Sequence, residues 1–569
     1  MSEGVELLEQ LRDPETYCYA DDLKLIAIGQ NENVAAGRMQ TALNILVEWT
    51  KKNNLQFNVD KTKALLFTRK NRYNRPELKI GDKTIEYVHE FKYLGVTFDQ
   101  KLKWNQHVET QVKKAKITLM TARSMIGKTW GLTPAISAWI YTAIVRPIIT
   151  YGAVAWINAI NTEKNRKKLR KVHRLALKMM TGSMHSTPTA GMEVITNIRP
   201  VDIFIKQVAI ATSIRLEKTG NWPKTNIHRF GERSHIRIIE GYRQEIPEVL
   251  YPKDKSWMKI RTEPRYNVQI KSRKELNETV IRPTPYDEKR INVWTDGSKT
   301  ESGAGSAYYI RNQEVKEQEY LHLGNNSTVF QAEITAITRA TIKLLELEVR
   351  DKEIHYYVDN QGALKSMRTL TNEKKTVSEC KRTLNKLTEY NNEVQLNWIP
   401  AHSFHLGNEI ADRLAKRGAN TPDIGPEPRI PISEQSLNTH IKKWGKAEHD
   451  RTWNNKTDCR QSRLVLPSVS HSWKILRYER RHVRVLTQLV TGHANLKRHR
   501  YLMKMEEDPL CDMCKVEETA LHLMTNCARY SVIRAAILGN PAISESNIRN
   551  YKVSKILRFA KETGRWTME

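Results

Sequence analysis

Residues 291–298, INVWTDGS, read as a strand that runs into Asp296 and turns at Gly297 and Ser298. A glycine-rich second strand follows, GAGSAYYIR (303–311). STVFQAEITAITRATIKLLELE (327–348) has the apolar spacing of an amphipathic helix and carries Glu333 in its first turns. EIHYYVDNQGALKSM (353–367) begins as a buried strand, delivers Asp359 at its end and becomes a helix. EVQLNWIPAH (393–402) is another strand, and beyond SFHLG the helix NEIADRLAKRGA (408–419) presents Asp412 early. The order over 289–420 is three strands and a helix, then strand–helix, strand–helix: a compact α/β domain.

Singly, each acidic residue has an ordinary explanation. Asp at a strand end is a turn former, and Glu near a helix start faces a favourable dipole. As an ordered set, four carboxylates from two strand ends and two helices are expected to meet at one sheet edge. They cannot all ionise there without cations, because like charges raise one another's pKa. Two Mg²⁺ ions answer that problem, one activating water and the other stabilising a leaving oxygen in phosphodiester cleavage. His402, on the loop before Asp412, suits proton transfer near neutral pH.

TDGS, QAE, YVDNQGALK and WIPAHSFHLGNEIADRLAK, in that order, resemble the type 1 ribonuclease H family. The resemblance implies a mixed five-stranded sheet with flanking helices and cutting of the RNA strand in RNA–DNA hybrids. It makes Asp296, Glu333, Asp359 and Asp412 the metal carboxylates and His402 the mobile-loop histidine. Family members more often have Gly where Ala401 and Phe404 stand, a difference expected to stiffen the loop and slow product release.

Upstream, TYCYADDLKLIAIG (16–29) is two apolar strands joined through Ala20, Asp21 and Asp22, usually only turn chemistry. With WTKKNNLQFNVDKTKALLF (49–67), EFKYLGVTF (90–98) and VRPIITYGAVAW (145–156), it resembles the last palm motifs and thumb of a non-LTR retrotransposon reverse transcriptase. Tyr19 to Asp22 match that family's YADD box. Two aspartates without a third, and without a fingers region, should not hold two ions in line. Asp21 and Asp22 are therefore expected to be vestigial, in a truncated polyprotein that does not extend primers.

Downstream, Cys511, Cys514, His522 and Cys527 are spaced C-x₂-C-x₇-H-x₄-C. Three thiolates and an imidazole suit one closed, structural Zn²⁺ site. Its position, and RVLTQLVTGHANLKRHRYLM (484–503) before it, resemble the C-terminal knuckle of Jockey- and I-like retrotransposon proteins, which implies contact with single-stranded RNA. Cys18, Cys380 and Cys459 receive no role.

The chain has 569 residues and 93 Lys+Arg against 63 Asp+Glu, a net charge of +30 that argues for a polyanionic partner. Lys167, Lys168, Arg170 and Lys171, on a helix whose Leu169, Val172, Ala176 and Met179 form the apolar face, are expected to meet nucleic-acid backbone. Arg480, Arg481 and Arg484 join them, from a stretch (471–500) with eight Lys or Arg, four His and one acidic residue. YTAIVRPIITYGAVAWI (141–157) is too short and too interrupted to span a bilayer, and the acidic N-terminus has no apolar run. An intracellular location, nuclear or cytoplasmic, follows as the expectation, with no membrane partner.

The expected organisation is multidomain α/β: partial palm (1–110), helical thumb (111–220), connector of low order (221–288), ribonuclease H domain (289–420), linker and basic helical region (421–505), knuckle (506–530) and helical tail (531–569). The leading expectation is a hybrid-specific endoribonuclease. The alternatives are a remnant that holds RNA or DNA without cutting and, less well matched by the D-E-D-D order, a DDE-type transposase.

Overall fold

Alternation in 291–298 gives one strand two different buried faces, and the fold of this region grows from that. In the computed structural model, residues 14–127, 131–223, 231–271, 289–401, 406–421, 430–471 and 473–566 are described. They fall into two units, Lys206–Glu448, and Met1–Ile205 together with His449–Glu569.

The first unit is built from α1 (His235–Gln244), β1 (Lys255–Arg261), β2 (Asn267–Gln269), β3 (Arg290–Lys299), β4 (Ala304–Arg311), β5 (Lys316–His322), α2 (Val329–Glu346), β6 (Glu353–Val358), α3 (Gln361–Arg368), β7 (Thr371–Lys374), α4 (Lys375–Thr388), β8 (Glu393–Trp398) and α5 (Leu406–Asn420). Its sheet runs β2-β8-β6-β3-β4-β5. The pairs β2–β8, β8–β6 and β6–β3 are parallel, whereas β3–β4 and β4–β5 are antiparallel.

Ile291 and Val293 of β3 join Tyr308, Ile310, Ile354, Tyr356, Val358, Val394 and Leu396 in one core, closed by Ile334, Ile337 and Leu344 of α2 and by Val377, Leu384 and Leu387 of α4. Each such large apolar side chain contributes roughly 1.5–3 kcal/mol on burial. On the other face Trp294 stacks between Tyr309 and Tyr357, with centroids 5.7 and 5.5 Å away, and Ala411 of α5 packs over the trio. Helix α5 lies so close to β4 that a Cβ on Gly305 would stand 2.1 Å from the carbonyl oxygen of Ala415.

Two expectations need correction here. The sheet has six strands, not five, because β2 adds a parallel edge strand beside β8. That strand belongs to 221–288, read from sequence as a connector of low order. Residues 231–271 instead form α1, β1 and β2, with β1 paired to β7 and Tyr266 in the sheet core, donating to the Met367 carbonyl at 3.2 Å. Short strands of mixed polarity draw their stability from partners, not from a pattern of their own.

In the second unit, Glu15–Tyr19 and Asp22–Ile26 form a hairpin turning at Ala20, whose φ is +53°. The helices Asn105–Ser124 and Glu163–Thr181 follow, and Leu169, Val172, Ala176 and Met179 are buried as their spacing predicts. The Pro and Gly of 141–157 break this stretch into short helical pieces, with Tyr141, Val145, Ile149, Trp156 and Ile157 buried. Among the described residues no single helix is long and apolar enough to cross a membrane. Val194 and Ile195 share one core with Trp453, Leu486, Leu489, Leu523 and Phe559, so segments far apart in the chain fold together.

Candidate active site and metal-ligand clusters

Asp296 sits on β3, paired with Ala307 of β4, where the strand passes under the start of α2. Thr328 and Gln331 close a reciprocal capping box on α2, which fixes the turn that carries Glu333. A Cβ on Gly297 would lie 2.5 Å from the Glu333 nitrogen, so only glycine lets that turn settle on β3. Asp359 follows the last residue of β6, and Asn360 caps α3 by accepting from the Ala363 amide at 3.0 Å. Asp296, Glu333 and Asp359 each bring an oxygen within 4.8 Å of the others.

The electrostatics are those of a site short of cations. Burial, then Asp359 and Asp412, push the Asp296 carboxyl up to about 7, against the pull of Lys416. Burial, then Asp296 and Asp359, raise Glu333 well above the usual carboxylate range. Glu333 is 2% exposed, and its Oε2 is buried without a hydrogen-bond partner. A buried acceptor left open in this way costs free energy, which a cation would offset. The residues present fit a hard divalent ion.

Asp412 does not join the other three within that distance. It is half-buried and paired at 2.7 Å with Lys416, one helical turn on, although its charge still reaches Asp296. His402 lies outside the described residues. Sequence reasoning missed Lys416, whose i,i+4 spacing from Asp412 was the available signal. It also missed Asn360, which stands directly after Asp359 and whose side chain acts against the upward shift of Glu333.

In the second unit Cys511, Cys514, His522 and Cys527 also bring their ligand atoms within 4.8 Å of one another. The sulfurs of Cys511 and Cys514 each lie 3.9 Å from that of Cys527, and His522 Nε2 is buried without a partner. Burial pushes the Cys527 thiol up to about 11, and Cys511 beside it adds to the shift. Burial also acts upward on Cys511, but amide donors from Cys514 and Met513 outweigh it and lower that thiol. This donor set fits a soft or borderline cation. Cys511 and Cys527 belong to the large core, so the cluster is embedded in its unit and is not a free-standing knuckle. Arg534, fully buried, donates to the carbonyls of Leu523, Met524 and Cys527 at 3.1, 3.0 and 2.9 Å, and also to Pro541.

The expected basic contacts divide. Lys167, Arg170 and Lys171 are exposed, with Arg170 held 2.8 Å from Asp202, and Lys168 pairs with Glu109. Arg480 is not on an open face, because its guanidinium donates to the carbonyls of Leu132, at 2.6 Å, and Met179. Arg484 is half-buried beside Gly182, and exposed Arg481 pairs with Glu479 at 2.7 Å. Asp21 and Asp22 are exposed at the hairpin tip, and no third ligand residue gathers with them among the described residues.

Comparison with known proteins agrees with both catalytic-type segments. Residues 288–420 match the family model described as RNase H, and residues 5–98 match the model of reverse transcriptase, RNA-dependent DNA polymerase. The chain is 22% identical over 213 residues to a 115 kDa protein in the type-1 retrotransposable element R1DM of Drosophila melanogaster, covering 37% of this chain and 20% of that one. It is 25% identical over 190 residues to the Pol polyprotein of the R1 2 element of Nasonia vitripennis, covering 32% and 46%. Two segments of the chain thus match reverse transcriptase and ribonuclease H, and the relatives it is similar to are non-LTR retrotransposon proteins. The chain spans between about a fifth and about half the length of those two retrotransposon relatives. Among solved structures, ribonuclease H1 of Halobacterium salinarum NRC-1 is 18% identical, covers 23% of this chain and 96% of its own, and has a TM-score of 0.20.

Proposed function

We propose that this chain is an endoribonuclease of retrotransposon origin that hydrolyses the RNA strand of RNA–DNA hybrids. The observation that carries this reading is the meeting of Asp296, Glu333 and Asp359, with Glu333 Oε2 buried and unpartnered. Asp296, Glu333 and Asp359 would hold Mg²⁺, two ions in the full site, with Asp412 completing the set once released from Lys416. Bound there, Mg²⁺ supplies Lewis-acid activation of water and charge stabilisation at the leaving oxygen. The residues themselves do the rest. The Trp294 stack and the capped turn of α2 fix the spacing of the carboxylates before substrate arrives. Burial raises the proton affinity of Asp296 and Glu333, so bound cations would compete with protons at these carboxyls. His402 is proposed as the proton carrier that assists product release.

The test is cleavage of a hybrid with labelled RNA by the full chain. Mg²⁺-dependent cutting that leaves 5′-phosphate ends, lost in Asp296→Asn, is the expected result. Tight hybrid binding without cleavage by the unaltered chain would replace this reading with that of a nucleic-acid holder. We further propose that the chain does not extend primers, in keeping with Asp21 and Asp22 standing exposed at a hairpin tip. Extension of a primed RNA template by the purified chain would refute that part.

For Cys511, Cys514, His522 and Cys527 the proposed occupant is one structural Zn²⁺, supported by four convergent donors and an orphaned imidazole nitrogen. Exposed Lys167 and Lys171 are the proposed phosphate contacts, with single-stranded RNA as a further partner.

A further inference from the structure

Two stretches outside the ribonuclease H match at 288–420, one on either side, reach back to the turn that carries Glu333. Pro252 to Asp254 and Ile430 to Ile432 run side by side: the Ile432 amide donates to the Pro252 carbonyl at 2.7 Å, and the Asp254 amide donates to the Ile432 carbonyl at 3.0 Å. From this ribbon Asp254, 3% exposed, points inward. Its Oδ1 accepts from the Thr376 amide and hydroxyl, both at 3.0 Å, at the start of α4. Its Oδ2 accepts from Gln331 Nε2 at 3.3 Å, and the same nitrogen donates to the Pro431 carbonyl at 2.7 Å.

Gln331 is itself 1% exposed and has no spare capacity. Its Oε1 accepts from the Thr328 amide at 3.1 Å and hydroxyl at 3.2 Å, closing the α2 capping box. A continuous series of hydrogen bonds thus runs from Asp254 and Pro431, through the Gln331 amide, to the first turn of α2. Glu333 is the second residue after Gln331, on that same turn.

We propose that Asp254 is a positioning residue for Glu333, acting through Gln331, so that the ribbon of 252–254 and 430–432 sets the metal-ligand geometry. It rests on the nuclease reading only for the use to which the geometry is put. The functional nuclease unit then extends beyond the 288–420 match on both sides. A buried carboxylate is needed at 254 because two donors from one side and one from the other converge on it, and only an acceptor-only group serves all three. An asparagine keeps an oxygen for Thr376 but turns an N–H₂ toward Gln331 Nε2, so it preserves the α4 cap and breaks the link to α2.

The experiment compares the full chain with Asp254→Asn, Gln331→Ala and the double variant. Hydrogen–deuterium exchange is followed over residues 327–337, Mg²⁺ affinity by calorimetry, and hybrid cleavage as kcat and KM. The expected result for Asp254→Asn is faster exchange over 327–337, about tenfold weaker Mg²⁺ binding and a kcat reduced about tenfold with KM for the hybrid unchanged. The double variant should be no worse than Gln331→Ala alone, because both act through one link. Exchange and Mg²⁺ affinity equal to those of the unaltered chain would overturn the proposal and leave Asp254 as an α4 cap only. If the unaltered chain binds Mg²⁺ but cuts no hybrid, the nuclease reading fails, while exchange and affinity still decide the role of Asp254.

Discussion

Asp296 concentrates the chemistry of the site in one side chain. Its folded carboxyl holds a proton up to about 7, against 3.8 ordinarily. Between those values the folded chain binds more protons than the unfolded chain, so stability falls as pH rises through the window and levels off above it. In chelator, thermal melts should therefore show the nuclease unit losing stability from about pH 4 to about pH 7; a rising trend would contradict the charge arrangement described. Mg²⁺ must displace the protons, so the melting-temperature gain on adding Mg²⁺ should grow between about pH 6 and 8. Asp296→Asn removes the charge that the buried carboxyl takes on above about pH 7, where its effect is to be measured. We expect it to abolish cleavage, to stabilise the metal-free chain by on the order of 1–2 kcal/mol and to flatten the Mg²⁺ response.

At the level of elements, the contact of β3 with α2 is the narrowest joint. Gly297→Ala would drive a methyl group against the Glu333 nitrogen, 2.5 Å away, and the helix must retreat. A loss on the order of 2 kcal/mol or more, with weaker Mg²⁺ binding, is expected from denaturation and calorimetry. This joint was readable in advance: TDGS and QAE placed both partners, and the strand–helix alternation placed their elements. Strands β1 and β2 were not readable, because KSWMKIR and NVQ carry no burial pattern of their own and exist through pairing with β7 and β8. The pairing of Asp412 with Lys416 was equally hidden in outcome, since an i,i+4 spacing allows an ion pair without requiring it. Arg480 misled for a related reason: a basic stretch in sequence looks solvated until a neighbour's free carbonyls claim one of its guanidiniums.

Across the whole molecule, the Cys₃His cluster and the long-range core are one system. Arg534→Met would leave carbonyls of Leu523, Met524 and Cys527 without their donor, at a cost on the order of 3–5 kcal/mol. Chelation of the proposed Zn²⁺, or Cys511→Ser, should lower the stability of the unit holding residues 449–566 while sparing the sheet of the other unit. Two separate calorimetric transitions would check this, with only that of the unit holding the cluster moving. Hybrid affinity should also fall steeply as salt is raised, and Lys167→Ala with Lys171→Ala should reduce that slope by about 1–2; a flat slope would remove phosphate contact from the account.

The sharing of one core by Val194 and Ile195 with Leu523 and Phe559 has a consequence for synthesis on the ribosome. The nuclease sheet can close as soon as its own last strand and helix emerge. The helix that carries Val194 and Ile195, translated before it, must wait with those side chains uncovered until the final segments have been made, so premature termination should release a finished sheet tethered to an aggregation-prone front half.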